Sequence, residues 1–130
     1  MKLGYLILYV ESVAAAVTFY EAAFGLSKKF IHGLGQYAEL DTGTTTLAFA
    51  EHGLAAQNLP EGFIPLGSLK DPVGLELGFV TDDVPAAVAK AVAAGAVVLS
   101  EPKLKPWGQT VAFLRGPHGE LLELCTAVGE

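Results

Sequence analysis

The chain has 130 residues, of which 52% are hydrophobic and 17% are charged, and its formal net charge is −6. That length and apolar content suit one domain, or two small halves that share a core, whereas the acidic balance and the scattered Lys and Arg residues exclude a nucleic-acid interface. No apolar run approaches the roughly 20 residues of a membrane span, and the single cysteine, Cys125, cannot form an internal disulfide, so we expect a cytoplasmic protein with no membrane partner.

The first 50 residues predict the order strand, helix, strand, strand, strand. Residues 3–10 are apolar and β-favouring, which predicts a buried strand. Ser12 is a suitable N-cap for the helix that follows, and Gly25 is a suitable stop. Three short strands are expected at residues 28–33, 36–40 and 45–50.

Residues 51–73 break this pattern, because they hold several Gly, Pro and polar residues and show no hydrophobic period. We expect a linker or lid here, since so long a connection in a compact chain usually has a function or moves. Its apolar side chains are expected to close over a site or to contact a second subunit: Leu59, Phe63, Ile64 and Leu66.

Residues 74–130 repeat the order of the first unit. A strand is expected at 75–81, and Asp83 is a suitable N-cap for a helix that runs through Ala94. Strands are then expected near 97–100, 109–114 and 120–126.

The two halves are also alike residue by residue. The stretch YLILYVESVAAAV, from Tyr5, matches ELGFVTDDVPAAV, from Glu76, without a gap and at an offset of 71 residues. A β-α-β-β-β unit has one helix, which covers only one face of its sheet. We therefore predict an α+β fold in a single domain, residues 1–130, whose two βαβββ units form a curved, half-open, barrel-like mixed sheet with the helices outside.

Three longer motifs, which together span nearly the whole chain, point to a family: YVESVAAAVTFYEAAFGL, FVTDDVPAAVAKAVAAGA and PWGQTVAFLRGPHGELLEL. In these motifs the chain resembles the vicinal oxygen chelate superfamily, which includes glyoxalase I, bleomycin-resistance proteins and extradiol dioxygenases. The resemblance implies a cleft in which four inward-facing residues meet, one from the first and one from the last strand of each unit. In metal-dependent members these residues hold a divalent cation that acts as a Lewis acid.

The four positions fall on Tyr5, Ala48, Glu76 and Glu123, although a gap-free match from the preceding turn would give Leu47 in place of Ala48. This set has no imidazole or thiolate, which zinc, iron and nickel prefer, while two carboxylates with waters would hold Mg or Mn weakly. We therefore expect no catalytic metal, and keep as the alternative a divalent ion (Zn, Mn, Ni, Fe or Mg) held by the two glutamates.

Strand alternation supports a place in the cleft for both glutamates. Glu76 alternates with Leu75, Leu77 and Phe79, and Glu123 lies between two leucines. The other interpretation of Glu76 is an acidic residue at a solvent-facing edge. Ionising two carboxylates that face one cleft is unfavourable, so we expect one of them to have a raised pKa. Glu76 and Glu123 are therefore the best catalytic candidates.

Four further residues are candidates for ligand binding. Tyr37 and Glu39 share one face of their strand, and Gln109 is suited to orient a ligand. Trp107 offers a flat apolar face for stacking an aromatic ligand, or else packs beneath the linker as core. The three histidines lack metal-ligand spacing, and His118 is expected in an exposed turn.

The favoured hypothesis is a metal-free small-molecule-binding protein of the bleomycin-resistance type, which holds an apolar or aromatic ligand between its units and forms a homodimer. The alternative is a divalent-metal-dependent lyase or dioxygenase-like enzyme that uses Glu76 and Glu123 as ligands. A third hypothesis, an interaction module with a vestigial pocket, has only the long apolar linker in its favour.

Overall fold

The computed structural model describes residues 1–129 and contains two βαβββ units in chain order. The first unit consists of β1 (Tyr5–Val10), α1 (Val13–Phe24), β2 (Ser27–Ile31), β3 (Tyr37–Asp41) and β4 (Thr46–Glu51). A short helix, α2 (His52–Asn58), follows. The second unit consists of β5 (Glu76–Val80), α3 (Val84–Ala94), β6 (Val97–Leu104), β7 (Thr110–Arg115) and β8 (Leu121–Cys125).

Each unit forms its own four-stranded sheet, with the orders β1-β4-β3-β2 and β5-β8-β7-β6. In both sheets the first strand pairs in parallel with the last strand of its unit, and the remaining pairs are antiparallel. The duplication in sequence is therefore a duplication of topology. The prediction of an α+β fold with two like units and mixed sheets that do not close is confirmed.

The helix boundaries follow the predicted caps. The Ser12 hydroxyl accepts a hydrogen bond from the Ala15 N–H at 3.2 Å, and the Asp83 carboxylate accepts one from the Ala86 N–H at 3.1 Å. Gly25 ends α1 with φ +66°, a left-handed conformation that glycine adopts without strain. These local signals fix where α1 and α3 begin and end.

Two elements differ from the prediction. Helix α2 lies inside the predicted linker; its seven residues are too few to show a helical period, and only Ala55 is buried. Strand β6 continues to Leu104 although Pro102 lies within it. Register shifts between Val98 and Ser100, and between Ser100 and Lys103, let the strand pass a residue that has no N–H to donate.

One hydrophobic core joins the two units. Helix α1 packs on α3, and the core combines residues of both sheets, such as Phe49 and Leu122. The rings of Phe24, in α1, and Phe79, in β5, stack at 4.3 Å between centroids. Both sheets turn one face toward this core, so each has a second face that no helix of its unit covers. None of the described helices is long and apolar enough to cross a membrane.

A buried polar contact also ties the units together. The Tyr20 hydroxyl, in α1, donates to the Glu120 carboxylate at 2.8 Å, and Glu120 is only 2% exposed. The His118 N–H donates to the same carboxylate at 2.9 Å. Burial, and then the charge of Glu120, raise the pKa of Tyr20 well above its ordinary value, so the phenol remains a donor. His118 is half-buried, and its Nε2 is buried, so the exposed position expected for it is wrong.

Candidate functional site

The candidate site consists of the two sheet faces that no helix covers. In β1, Leu8 and Val10 point into the core, so Tyr5, Ile7 and Tyr9 share the opposite face. We call this the N-terminal face, and the corresponding face of the β5-β8-β7-β6 sheet the C-terminal face. Tyr5 is 58% exposed and Ile7 42% exposed, so the N-terminal face presents apolar and aromatic surface.

Polar side chains on the N-terminal face form hydrogen bonds with one another. The Tyr37 hydroxyl donates to the Glu39 carboxylate at 2.9 Å, as expected from their shared face. Burial and this hydrogen bond raise the pKa of Tyr37 to about 12, so it is a neutral donor at ordinary pH. Lys29 donates from Nζ to the Thr46 hydroxyl at 3.2 Å. The face therefore combines an aromatic surface with the Glu39 carboxylate and the Lys29 ammonium group.

Ala48 lies on the predicted face but is fully buried. Its cross-strand partners are Ile7 on one side and Glu39 on the other. Both are larger than alanine, and Ala48 itself has no exposed surface. Ala48 therefore lies on the predicted face but has no exposed surface with which it could contact a ligand.

The C-terminal face brings the two candidate glutamates together. Glu76 pairs across the ladder with Leu121, and Glu123 pairs with Gly78, one step further along the same face. Gly78 has no side chain, so the space beside the Glu123 carboxylate stays open. A Cβ on Gly78 would lie in that space, 3.5 Å from the carboxylate. Partial desolvation raises the pKa of Glu76, and the nearby charge of Glu123 raises it further.

The pKa of Glu76 therefore depends on Glu123, and we expect a Glu123→Gln variant to lower it. The pKa should remain above its ordinary value, because desolvation persists when the neighbouring charge is gone. Carboxyl ¹³C NMR titration measures both effects. Glu39→Gln, on the other face, is the matched control and should leave the Glu76 titration unchanged; equal shifts in the two variants would contradict the pairing.

Trp107 and Gln109 form the other end of the C-terminal face. The Trp107 indole N–H donates to the Gln109 side-chain oxygen at 2.9 Å, and the Gln109 amide donates to the Thr126 carbonyl at 2.9 Å. Trp107 is 61% exposed, so the interpretation of it as a core residue is wrong. Gln109 orients the indole, which leaves a flat aromatic surface open at the end of the face.

Cys125 lies on the C-terminal face and is buried there. It pairs with Val80 and Val111, one step from Glu123, and it is 4% exposed. Burial raises the pKa of its thiol, which therefore remains protonated.

The linker reaches the N-terminal face. The rings of Phe63 and Tyr9 meet edge-on at 4.9 Å between centroids. Phe63 and Ile64 line, together with Ile7 and Tyr9, an apolar cavity of about 150 Å³. Linker side chains thus form one wall of the candidate site.

The four positions implied by the family resemblance occur as two pairs within one chain. Tyr5 and Ala48 lie on the N-terminal face, and Glu76 and Glu123 lie on the C-terminal face. The packing of α1 on α3 and the hydrogen bond from Tyr20 to Glu120 join the units on their helix sides. Each pair therefore lies on a sheet face that points away from the common core.

The donor set of a single chain does not fit a metal centre. Among residues 1–129, no three His, Cys, Asp or Glu side chains are placed so that they could hold a metal ion together. Glu76 and Glu123 supply two carboxylates, whereas zinc sites in proteins are typically built from at least three side chains that include imidazole or thiolate.

Comparison with known families agrees with this architecture. The sequence profile of the Glyoxalase/Bleomycin resistance protein/Dioxygenase superfamily matches residues 2–124. The fold defines a class of proteins in which two paired βαβββ units each leave one sheet face free of helices. The chain belongs to the Glyoxalase/Bleomycin resistance protein/Dioxygenase superfamily.

Solved structures of similar fold cover at least 97% of the chain. A glyoxalase/bleomycin resistance protein/dioxygenase family enzyme from Burkholderia phytofirmans PsJN matches with a TM-score of 0.81 at 23% identity, over 97% of this chain and 98% of that one. A glyoxalase-related enzyme from Fulvimarina pelagi matches with a TM-score of 0.80 at 18% identity, over 100% and 96%. TioX from Micromonospora sp. ML1 matches with a TM-score of 0.70 at 20% identity, over 97% and 98%.

At these identities the likeness concerns the fold. No curated protein matches the sequence significantly.

Proposed function

We propose that the protein binds an apolar or aromatic small molecule on its helix-free faces, in the manner of the bleomycin-resistance type, without a catalytic metal. The observation that carries the proposal is the exposed aromatic surface at two places: Tyr5 on the N-terminal face and Trp107, oriented by Gln109, at the end of the C-terminal face. Exposed apolar patches of this kind, rimmed by polar groups, mark binding sites. The glutamate pair gives the site a negative rim that favours a ligand with a donor or cationic group.

The test uses Trp107, because it is the only tryptophan and its fluorescence reports on one place. We expect at least one member of a panel of planar aromatic compounds to quench its emission saturably. Gln109→Ala should weaken that binding by about tenfold, since the indole loses its orienting acceptor and each tenfold step corresponds to about 1.4 kcal/mol. Gln57→Ala, which changes an exposed amide on α2, is the control. Failure of the whole panel to quench would count against the proposal.

We further propose that a second copy of the chain closes these faces, so that the working form is a homodimer. Strands β1 and β5 are edge strands of their sheets, and they carry exposed apolar side chains such as Ile7, at 42%, and Val80, at 67%. Open sheet edges beside exposed apolar surface are prone to pair with another chain. Each site would then be walled by residues of both copies.

Ile7→Lys is expected to convert the dimer to a monomer without unfolding it, because a charge placed in an apolar interface cannot be solvated there. Sedimentation velocity over a range of concentrations measures the change. Val92→Lys is the matched control, since Val92 is 44% exposed but lies on α3, away from both faces. A wild-type protein that sediments as a monomer at every concentration would refute the dimer.

A further inference from the structure

The linker segment of residues 63–70, which we call the strap, touches both helix-free faces. At one end, Phe63 packs against Tyr9 on the N-terminal face and helps to line the 150 Å³ apolar cavity there. At the other end, the strap passes beside β7 of the second unit, where Arg115 contacts it. The strap therefore spans the two halves of the candidate site.

Arg115 holds the strap by its backbone. Its Nη2 donates to the Leu69 carbonyl at 2.9 Å and to the Leu66 carbonyl at 3.5 Å, its Nη1 donates to the Lys70 carbonyl, and its Nε donates to the Gly119 carbonyl at 3.2 Å. A guanidinium group carries five N–H donors in a fixed fork, so it can hold several carbonyls at once. Lysine has one ammonium group and cannot reproduce this set.

The register places Arg115 on the site rather than at a remote surface. It pairs with Leu121, which pairs with Glu76, so Arg115 and Glu76 lie in one row of the C-terminal face. The hydrogen bonds of its guanidinium go to four main-chain carbonyls, three of them in the strap. Arg115 is also the only arginine in the sequence. The Arg115 guanidinium group, on the binding face, therefore directs most of its hydrogen bonds to the linker.

We propose that Arg115 is a positioning residue that fixes the strap, sets the depth of the cavity between Phe63 and the N-terminal face, and thereby limits the size of the ligand that enters. The ligand part of this inference rests on the proposed function, whereas the position of the strap does not depend on any ligand.

Trypsin cleavage tests the position of the strap, because Lys70 is exposed and Arg115 binds its carbonyl, the one that trypsin attacks. We expect Arg115→Ala to be cut between Lys70 and Asp71 about tenfold faster than wild type, since local release exposes the backbone to the protease. Arg115→Lys should be intermediate. Lys103→Ala, which removes an exposed charge from the same sheet, should be cut at the wild-type rate.

Two further readouts separate strap release from general loosening. Cleavage after Lys90, in α3, should stay slow in Arg115→Ala, and the NMR Overhauser effect between the rings of Phe63 and Tyr9 should disappear. An unchanged rate at Lys70 with a retained Overhauser effect would overturn the inference. An equal acceleration at Lys70 and Lys90 would also overturn it, because Arg115 would then act only on global stability.

The ligand arm uses benzene and naphthalene as probes, followed by chemical-shift changes of the Tyr9 ring. Release of the strap in Arg115→Ala is expected to move the preference toward naphthalene by at least about fivefold in relative Kd, roughly 1 kcal/mol. An unchanged preference with a released strap would overturn the role in size selection. If neither probe binds either protein, the proposed function fails, while the cleavage rates still decide whether Arg115 fixes the strap.

Discussion

Replacing Gly119 with alanine is expected to lower the free energy of unfolding by about 3 kcal/mol. Gly119 has φ +94°, which L-residues with a side chain adopt only with strain. A Cβ there would also lie 2.6 Å from the Leu66 carbonyl oxygen and against the backbone of Gly67. Because the obstructing atoms are main chain, they cannot move aside as the end of a flexible side chain would.

Gly43→Ala is the matched control for this prediction. Gly43 also has positive φ, +101°, but a Cβ there would meet nothing within 4 Å. Its replacement should therefore show the conformational term alone, about 1 kcal/mol. Urea unfolding of the two variants measures the difference, and equal losses would show that the contact between Gly119 and the linker does not constrain the fold.

The second large effect is expected from Tyr20→Phe, which should lower the free energy of unfolding by about 2 kcal/mol. The change removes the hydroxyl that donates to Glu120 and leaves that carboxylate buried with one fewer partner. Hydrogen bonds to charged groups contribute about 1.5–3 kcal/mol, and a buried acceptor that loses its donor is not compensated by water. Tyr9→Phe, a half-buried tyrosine on the N-terminal face, is the control and should lose less than about 0.5 kcal/mol.

The same contact predicts how stability responds to alkali. Folding raises the pKa of Tyr20 above its unfolded value, near 10.0, so the unfolded state releases this proton first. The contribution of Tyr20 to stability is therefore fully present below about pH 10 and declines as the pH rises toward the folded-state pKa. Denaturant unfolding between roughly pH 9 and 11.5 should show a steeper decline for wild type than for Tyr20→Phe. Parallel curves would mean that the Tyr20 proton does not link to folding.

Gly119 joins the second unit to the linker, Tyr20 joins the first unit to the second, and the linker contact also affects the site. Gly119 and Arg115 meet the linker at neighbouring points, and the linker carries Phe63 to the N-terminal face. A change at Gly119 is therefore expected to disturb ligand binding as well as stability. The structural contacts and the binding face are parts of one arrangement.

The sequence predicted the local features well for physical reasons. Helix caps depend on residues within one turn, so Ser12 and Asp83 could be identified directly. Face assignments follow from the two-residue period of strands, which placed Glu76 and Glu123 on one face and Tyr37 beside Glu39. The duplication gave the order of elements in both units. Helix α2 was missed because seven residues carry too little periodic signal.

The sequence could not predict contacts that join distant segments. Ala48 occupies the predicted face, but its burial depends on neighbours in two other strands. Arg115 was not singled out, because its partners lie 45 to 49 residues earlier in a segment without regular structure. A single charged residue in a strand, such as Arg115, has no local sequence pattern that identifies partners so far away.

The sequence by itself determined that this chain is a duplicated βαβββ protein, where its helices begin and end, and which residues share a sheet face, because caps and side-chain periodicity act over a few residues. Only the tertiary structure decided that α1 packs on α3, that Tyr20 reaches Glu120 across 100 residues, and that the candidate site residues occur as one pair on each face. Those outcomes depend on how the two sheets share one core, and no local preference fixes the packing of elements that are far apart in the chain.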